Sequence, residues 1–308
     1  MKVRNILISF ILFSIIFIPT VNAKEPEITA TSATVIDCID GKILYSKNME
    51  EKLYPASLTN VLTAILVVEN CNMQDTVTIS QSAIDNVQSG YLTANIQSGE
   101  ILTVEQLLNL LLISSYNDVA NALAEHVGGT TEEFVEMMNK KAKEIGCTNS
   151  NFVNCNGTHD ENHYSTAHDM ALIGKYAMQY DEIKEITGNI YYELGATNVY
   201  EKTDRLYQTT NEMILSGSKN YYRYASGIKT GFTTPAGYCV MIYSVKNDIP
   251  LVSVVMKSTT SDSRYEDSKE ILEYAYENNA IKTIAKAGTN LQTVNIKNAS
   301  QDTKKLNV

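Results

Sequence analysis

Apolar positions in this chain recur at every second residue near the start and in the last third, and at every third or fourth residue between, so the change of period separates strands from helices. Ala33 to Cys38 and Lys42 to Ser46 flank Asp40-Gly41, a dipeptide at ease in left-handed backbone, and two antiparallel strands joined by a tight turn are expected there. After Pro55 the period lengthens. Leu58, Val61, Leu62, Ile65 and Leu66 stand at helical spacing as far as about Asn70, which places Ser57 at a helix N-terminus. Thr103-Val104-Glu105-Gln106 reads as a capping box before a helical run from Leu107 to Ile113, and Asn117 as the cap of a helix that stops at Gly128-Gly129. Thr130 to Glu133 is a further capping box, opening a helix that ends at Gly146 and carries Phe134, Met137, Met138, Ala142 and Ile145 on one face; that stripe reads as core rather than as a cofactor site. A fourth helix follows Ser165-Thr166, with Met170, Ile173, Ala177 and Met178 inward. The strand period then returns in Gly237 to Lys246 and Ile249 to Lys257, joined by Asn247-Asp248, and a last helix spans about Asp262 to Glu277. Strands at both ends with helices between them predict an α+β fold: one antiparallel sheet flanked by the terminal helices, with an inserted all-helical subdomain and a cleft between the lobes.

Composition sharpens this picture at three points. With 308 residues and 44% hydrophobic content the chain has ample material for a packed core, as one large domain or two modest ones. A formal charge of −10 argues against a surface that tracks phosphates, so no nucleic-acid partner is expected. The five cysteines, Cys38, Cys71, Cys147, Cys155 and Cys239, are odd in number and contain no Cys-x-x-Cys pair, so they read as small apolar residues rather than a zinc or disulfide framework. No histidine pair has metal spacing, and neither a metal nor a cofactor is expected.

The N-terminus places Lys2 and Arg4 ahead of an apolar run from Ile6 to Ile18, with Val21-Asn22-Ala23 as a small-residue cleavage site. Pro19 interrupts the run before it is long enough to span a membrane comfortably, so it reads as a signal peptide rather than an anchor. Its removal leaves 23 basic against 35 acidic residues, a charge of −12. The expected layout is a signal peptide at 1–23, one domain over 24–280 and a polar tail over 281–308.

Three short motifs carry candidate chemistry: Ser57-x-x-Asn60 opening a helix, Ser115-Tyr116-Asn117 between two helices, and Lys229-Thr230-Gly231 leading into a strand. Around them stand Tyr54-Pro55-Ala56-Ser57-Leu58-Thr59, Leu112-Ile113-Ser114-Ser115-Tyr116-Asn117-Asp118 and Gly227-Ile228-Lys229-Thr230-Gly231-Phe232-Thr233, with Ala124-Glu125-His126-Val127-Gly128-Gly129 and His163-Tyr164-Ser165-Thr166-Ala167 elsewhere. Over roughly residues 28–278 this wording resembles the serine D-alanyl-D-alanine carboxypeptidases, low-molecular-mass penicillin-binding proteins of the penicillin-recognising superfamily. The resemblance implies a β-lactamase/transpeptidase-like fold and an exported, extracytoplasmic protein. It implies peptidoglycan stem peptides ending in D-Ala-D-Ala as substrate and β-lactams as inhibitors.

By the same resemblance Ser57 is the nucleophile that becomes acylated, with its own amide and that of Phe232 as the oxyanion hole. Ser115 and Asn117 relay protons and hold the substrate amide, Lys229 and Thr230 meet the terminal carboxylate, and Arg264 is a further carboxylate-binding candidate. Taken singly each has a plainer reading: Ser57 and Asn117 as helix caps, Lys229 as a solvated strand end. His126 and His163 read as structural.

The chain departs from the pattern in three places. The lysine that would take the Ser57 proton from the same helix face is replaced by Asn60, whose carboxamide orients a hydroxyl but cannot deprotonate it. No lysine or arginine lies between Lys52 and Lys140 to stand in locally. Tyr116 occupies a position that commonly holds a small or acidic residue, and either narrows the cleft or faces solvent. The tail at 281–308 resembles the first part of a C-terminal β domain, and no membrane anchor by that route is expected. Two functions stay open on these grounds: a working carboxypeptidase with Lys229 or solvent as substitute base, and a catalytically silent protein that binds cell-wall peptides. β-Lactamase activity fits the surrounding residues less well.

Overall fold

The computed structural model describes residues 24–201, 205–278, 290–295 and 303–307, so the signal-peptide reading at 1–23 and most of the tail lie outside the described residues. The chain opens with β1 (Ser32–Asp37) and β2 (Ile43–Lys47), makes a single 3-10 turn at Ala56–Leu58, and enters α1 (Thr59–Asn70). A helical lobe follows: β3 (Thr76–Thr78), α2 (Gln81–Asp85), β4 (Ile101–Thr103), α3 (Val104–Asn109), a π-helical turn at Leu110–Ser114, α4 (Asn117–Gly128) and α5 (Thr131–Ile145). The chain then returns through α6 (Ala167–Ala177), α7 (Asp181–Gly188), the small hairpin β5 (Tyr191–Leu194) and β6 (Arg205–Gln208), and a 3-10 turn at Glu212–Ile214. It closes with β7 (Ala225–Thr233), β8 (Gly237–Lys246), β9 (Ile249–Ser258) and α8 (Ser261–Asn278), and in the tail β10 (Asn290–Asn295) pairs antiparallel with β11 (Thr303–Asn307).

The main sheet has five antiparallel strands in the order β2-β1-β9-β8-β7, so the first and last thirds of the chain are knit together through the β1–β9 pair. Alternation along the strands sends one set of side chains to each face. Val35, Val240, Ile242, Leu251 and Val255 form a core with Ile271, Leu272 and Ala275 of α8. Ile36, Met241, Val252, Val254 and Met256 join the larger core shared with α6 and the helical lobe. The expected α+β architecture is the one observed, except that the inserted lobe is not all-helical, since β3 and β4 pair antiparallel within it.

Helix α1 is the pivot of that larger core. Every residue from Thr59 to Val67 is buried, as expected of a helix surrounded on all sides rather than lying on a surface. Its polar residues are therefore paired. Thr63 Oγ1 donates to Cys155 O at 2.6 Å, and Thr59 Oγ1 lies 2.9 Å from His163 Nε2. His163 Nδ1 accepts from the Val153 amide, so the ring is neutral and donates from Nε2; burial pushes its pKa down to about 4. These bonds pin the loop 151–163 against the start of α1, and give His163 the structural role expected of it.

Several local expectations are realised closely. Thr103 and Gln106 form a full reciprocal capping box, and Asn247 and Asp248, both at positive φ, close the β8–β9 hairpin. At Thr130 the hydroxyl accepts from the Glu133 amide as expected, whereas the Glu133 carboxylate bonds the Thr130 hydroxyl instead of its amide. The run Leu107 to Ile113 is split: α3 ends at Asn109 and the remainder is the π-helical turn, a wide coil seen chiefly at functional sites. Asn117 is not a cap. It is the first residue of α4, behind Tyr116 at the N-cap, and its side chain bonds the loop carbonyl of Leu92. Lys229-Thr230-Gly231 lies inside β7 rather than ahead of it. All five cysteines are free, three of them buried. Among the described residues no helix is long and apolar enough to cross a membrane.

Candidate active site

Ser57 sits in the turn between Pro55 and α1, where the backbone is forced into an uncommon shape. Ala56 has φ +49°, a left-handed conformation that costs a residue with a Cβ on the order of 1–3 kcal/mol. Two glycines clasp that turn. A Cβ on Gly231 of β7 would lie 3.1 Å from the Ser57 amide nitrogen and 3.0 Å from Pro55 O. On Gly157, at φ +80°, it would lie 2.0 Å from Ala56 O and 3.0 Å from the same amide. Both neighbours must therefore lack a side chain for the backbone around Ser57 to be enclosed this closely.

Asn60, the second residue of α1 and only 1% exposed, donates from Nδ2 to Ser115 Oγ at 3.0 Å, while its Oδ1 has no hydrogen-bond partner among the described residues. An unsatisfied buried carbonyl costs about 1–3 kcal/mol and is an anomaly in so well-packed a helix. Ser115 follows the π-helical turn at φ +67°, ψ +40°, again left-handed for a residue with a Cβ. That conformation brings its hydroxyl to Asn60. Asn117 then fixes the wall opposite, its amide and Nδ2 both donating to Leu92 O at 2.9 Å.

From the other lobe, β7 contributes three consecutive residues. Lys229 is 1% exposed, its Nζ donates to Thr230 O at 3.3 Å, and among the described residues it forms no ion pair. Burial first, and the nearby Arg264 guanidinium second, push its pKa from 10.5 down to about 7. Thr230 Oγ1 and Thr210 Oγ1 are hydrogen-bonded at 2.6 Å, and the Thr210 amide donates to Ile113 O, so β7 is tied to the π-helical turn. Phe232, half exposed, lies 4.4 Å from the Tyr238 ring.

Arg264, on α8, is 7% exposed and largely committed to the protein: Nη1 to Gly231 O and Cys239 O, and Nη2 to Ser261 Oγ and the Tyr265 hydroxyl. It braces β7 from behind at Gly231, and its Nε has no partner.

These groups border one cavity of about 550 Å³, lined by Ser57, Ser115, Asn117, Thr230, Phe232 and Arg264 with Gly231 between them. Lys229 is buried and is not among the residues that line the cavity. Other parts of the wall come from residues that sequence patterns left unmarked, among them Tyr91 and Leu92 of the loop before β4, Thr210 and His159. Tyr116 takes neither of the two courses open to it. It turns away from the cavity, packs edge to face on Tyr207 at 5.6 Å, and lines a neighbouring groove with Tyr200 and Arg205. Among the described residues no three His, Cys, Asp or Glu side chains gather as a metal site.

The arrangement offers a half-buried hydroxyl on a helix-opening turn, flanking hydroxyl and amide groups, and a buried guanidinium and a buried amine close by. Such a set suits attack on a carbonyl in a ligand that carries an anionic end.

Comparison with known proteins points the same way. The profile of the D-alanyl-D-alanine carboxypeptidase family matches residues 19–260. The chain is 34% identical over 277 residues to the D-alanyl-D-alanine carboxypeptidase DacF of Bacillus subtilis, covering 88% of this chain and 68% of that one. To DacC of Escherichia coli it is 32% identical, covering 86% and 66%. It thus spans about two thirds of the length of these relatives. Among solved structures the Streptomyces K15 DD-transpeptidase superposes with a TM-score of 0.77 at 27% identity, over 82% of this chain and 99% of that one.

Proposed function

The chain belongs to the D-alanyl-D-alanine carboxypeptidase family, and from that premise we propose that it is a penicillin-binding protein that takes peptidoglycan stem peptides ending in D-Ala-D-Ala through an acyl-enzyme on Ser57, slowed by Asn60. The observation that carries this reading is convergence: Ser57, Ser115, Asn117 and Thr230, drawn from three distant parts of the chain, border one cavity. In this reading the Ser57 and Phe232 amides polarise the penultimate carbonyl, and Asn117 holds the adjoining amide. Thr230 receives the terminal carboxylate in the field of Arg264. The work is placed outside the cytoplasm, with residues 1–23 as the export signal and 24–280 as the working domain.

The slowing follows from proton bookkeeping. The Ser57 hydroxyl must lose its proton as it attacks, and a well-placed base contributes on the order of 10²–10⁴-fold. Asn60 has no titratable lone pair, and its amide is spent on Ser115. Binding depends on other residues and is retained.

A second reading, a silent protein that binds wall peptides without cleaving them, is favoured by the same Asn60–Ser115 bond. Labelling with a fluorescent penicillin, confirmed by intact mass, separates the two. The wild type is expected to label Ser57 at least 100-fold more slowly than Asn60→Lys, and to release D-alanine from a stem-peptide mimic more slowly in proportion. Equal labelling of both proteins would refute the slowing, and a silent protein would give no adduct at all.

A further inference from the structure

Lys229 is the only lysine in the buried set among the described residues, and its environment is costly for an ammonium ion. It has one long hydrogen bond, to the carbonyl of its own neighbour, no acid partner, and a second cation beside it. A lysine that served only to attract a carboxylate would gain by reaching the cavity or by carrying a counter-ion. This one does neither. The arrangement favours the neutral amine, which is a base.

Its position on the strand matters as much. Residues two apart on a strand share a face, so Lys229 points to the same side of β7 as Gly231, the side that abuts the Ser57 turn. The same strand touches the π-helical turn that delivers Ser115. Ser115 Oγ accepts from Asn60 Nδ2, so its own proton is not used in that bond and is free for another acceptor.

We propose that Lys229 is the proton acceptor that replaces the missing helix lysine, reached from Ser57 through Ser115. The proposal rests on the acyl-enzyme reading above. As the Ser57 Oγ–carbonyl bond forms, the Ser57 proton passes to Ser115 Oγ, and the Ser115 proton passes to the neutral Lys229 amine. On collapse of the adduct the carbonyl–nitrogen bond breaks, and the leaving amine recovers the proton by the reverse path. No other co-reactant is needed. Asn60 holds the relay in place without taking a proton.

Few other charges bear on Lys229. Arg264 of α8 acts on it directly. The Ser57 turn and the π-helical turn bring only hydroxyls, and β8 brings Met241 opposite it and the Cys239 thiol, held at about 11 by burial. Glu212 of the 3-10 turn is committed to Ser218 and Asn220. On α7, Asp181, Glu182 and Glu185 are exposed, and Lys184 pairs with Asp181. His159 lines the cavity, and because it is present in every protein of the test below, its titration is common to both backgrounds.

The test is the rate of Ser57 acylation by a fluorescent penicillin from pH 5 to 9 in five proteins: wild type, Lys229→Met, Lys229→Arg, Asn60→Lys, and Asn60→Lys with Lys229→Met. Melting curves verify that each is folded. The wild-type rate is expected to climb about tenfold per pH unit and level off near pH 7. Lys229→Met and Lys229→Arg should each lose at least 100-fold at pH 8, although the arginine keeps the charge. With Lys at position 60 the Lys229→Met change should cost less than tenfold, because the helix amine is again the base. Equal losses in both backgrounds would overturn the proposal and leave Lys229 a ligand-binding cation, as would a wild-type rate independent of pH. If Asn60→Lys acylates and the wild type does not at all, the acyl-enzyme site stands and the substitute base fails. If no variant forms an adduct, both fail.

Discussion

Replacing Lys229 by methionine should make the protein more stable at neutral pH, and by an amount that depends on pH in a defined way. The side chains are similar in length, but methionine has no charge to desolvate. In the unfolded chain the amine titrates near 10.5, and in the folded protein burial and Arg264 lower that to about 7. Between those values the unfolded chain binds a proton that the folded protein refuses, so wild-type stability rises as pH rises from 7 to 10.5. A depression of this size, at about 1.4 kcal/mol per pH unit, amounts to roughly 4–5 kcal/mol withheld from the fold below pH 7 and none above pH 10.5. Local relaxation and water entry reduce it, so a gain of about 2–4 kcal/mol for Lys229→Met at pH 7 is expected. Urea unfolding of both proteins at pH 6, 7, 8, 9 and 10 measures it. The difference should be constant below pH 7, shrink through pH 8 and 9, and be small at pH 10. A methionine variant of equal or lower stability at every pH, or a difference that does not change with pH, would show that the ammonium is accommodated without cost.

Two further outcomes follow from the packing. Gly157→Ala places a Cβ 2.0 Å from Ala56 O at φ +80°, and the Ser57 turn must shift to admit it; penicillin labelling is expected to fall at least 100-fold, and unaltered labelling would show that the clasp on Ser57 is dispensable. Asp267 on α8 receives the amides of Thr29 and Ala30 and the Thr29 hydroxyl, so Asp267→Ala should cost about 2–4 kcal/mol in urea unfolding while the folded variant still labels; a loss under 0.5 kcal/mol would mean that the N-terminal segment adds nothing to the fold.

Much of the fold was legible because its signals are local. Thr103 and Gln106 answer each other three residues apart, and Asn247-Asp248 needs only its own backbone preference to close the β8–β9 hairpin. The β5–β6 hairpin, α2 and α7 were not foreseen: each is short, and each is held by tertiary contacts rather than by its own periodicity. The π-helical turn could not be told from a continuous helix, since Leu110 to Ile113 is buried on every side and carries no periodic signal.

The site divides in the same manner. Ser57, Ser115, Asn117 and Lys229-Thr230-Gly231 were found by their wording. Thr210, His159, Leu92 and Gly157 were not, because what recruits them is proximity across twenty or more residues of chain. Asn156-Gly157 marks a bend in the sequence, but nothing local tells that the bend touches Ser57. Nor could the sequence say that Lys229 is buried while Arg264 is occupied with carbonyls and hydroxyls of the protein.

The enclosure of one amide by Gly157 and Gly231 also bears on how this chain reaches its native state. Three stretches separated by seventy or more residues must be in register before that amide is correctly framed, so the pocket forms late, after the slow, entropically expensive closures of long loops. Intermediates with most of their helices in place would still lack it. Capture of a fluorescent penicillin during refolding would therefore date the final docking of the two lobes, where circular dichroism would report only the earlier growth of helix.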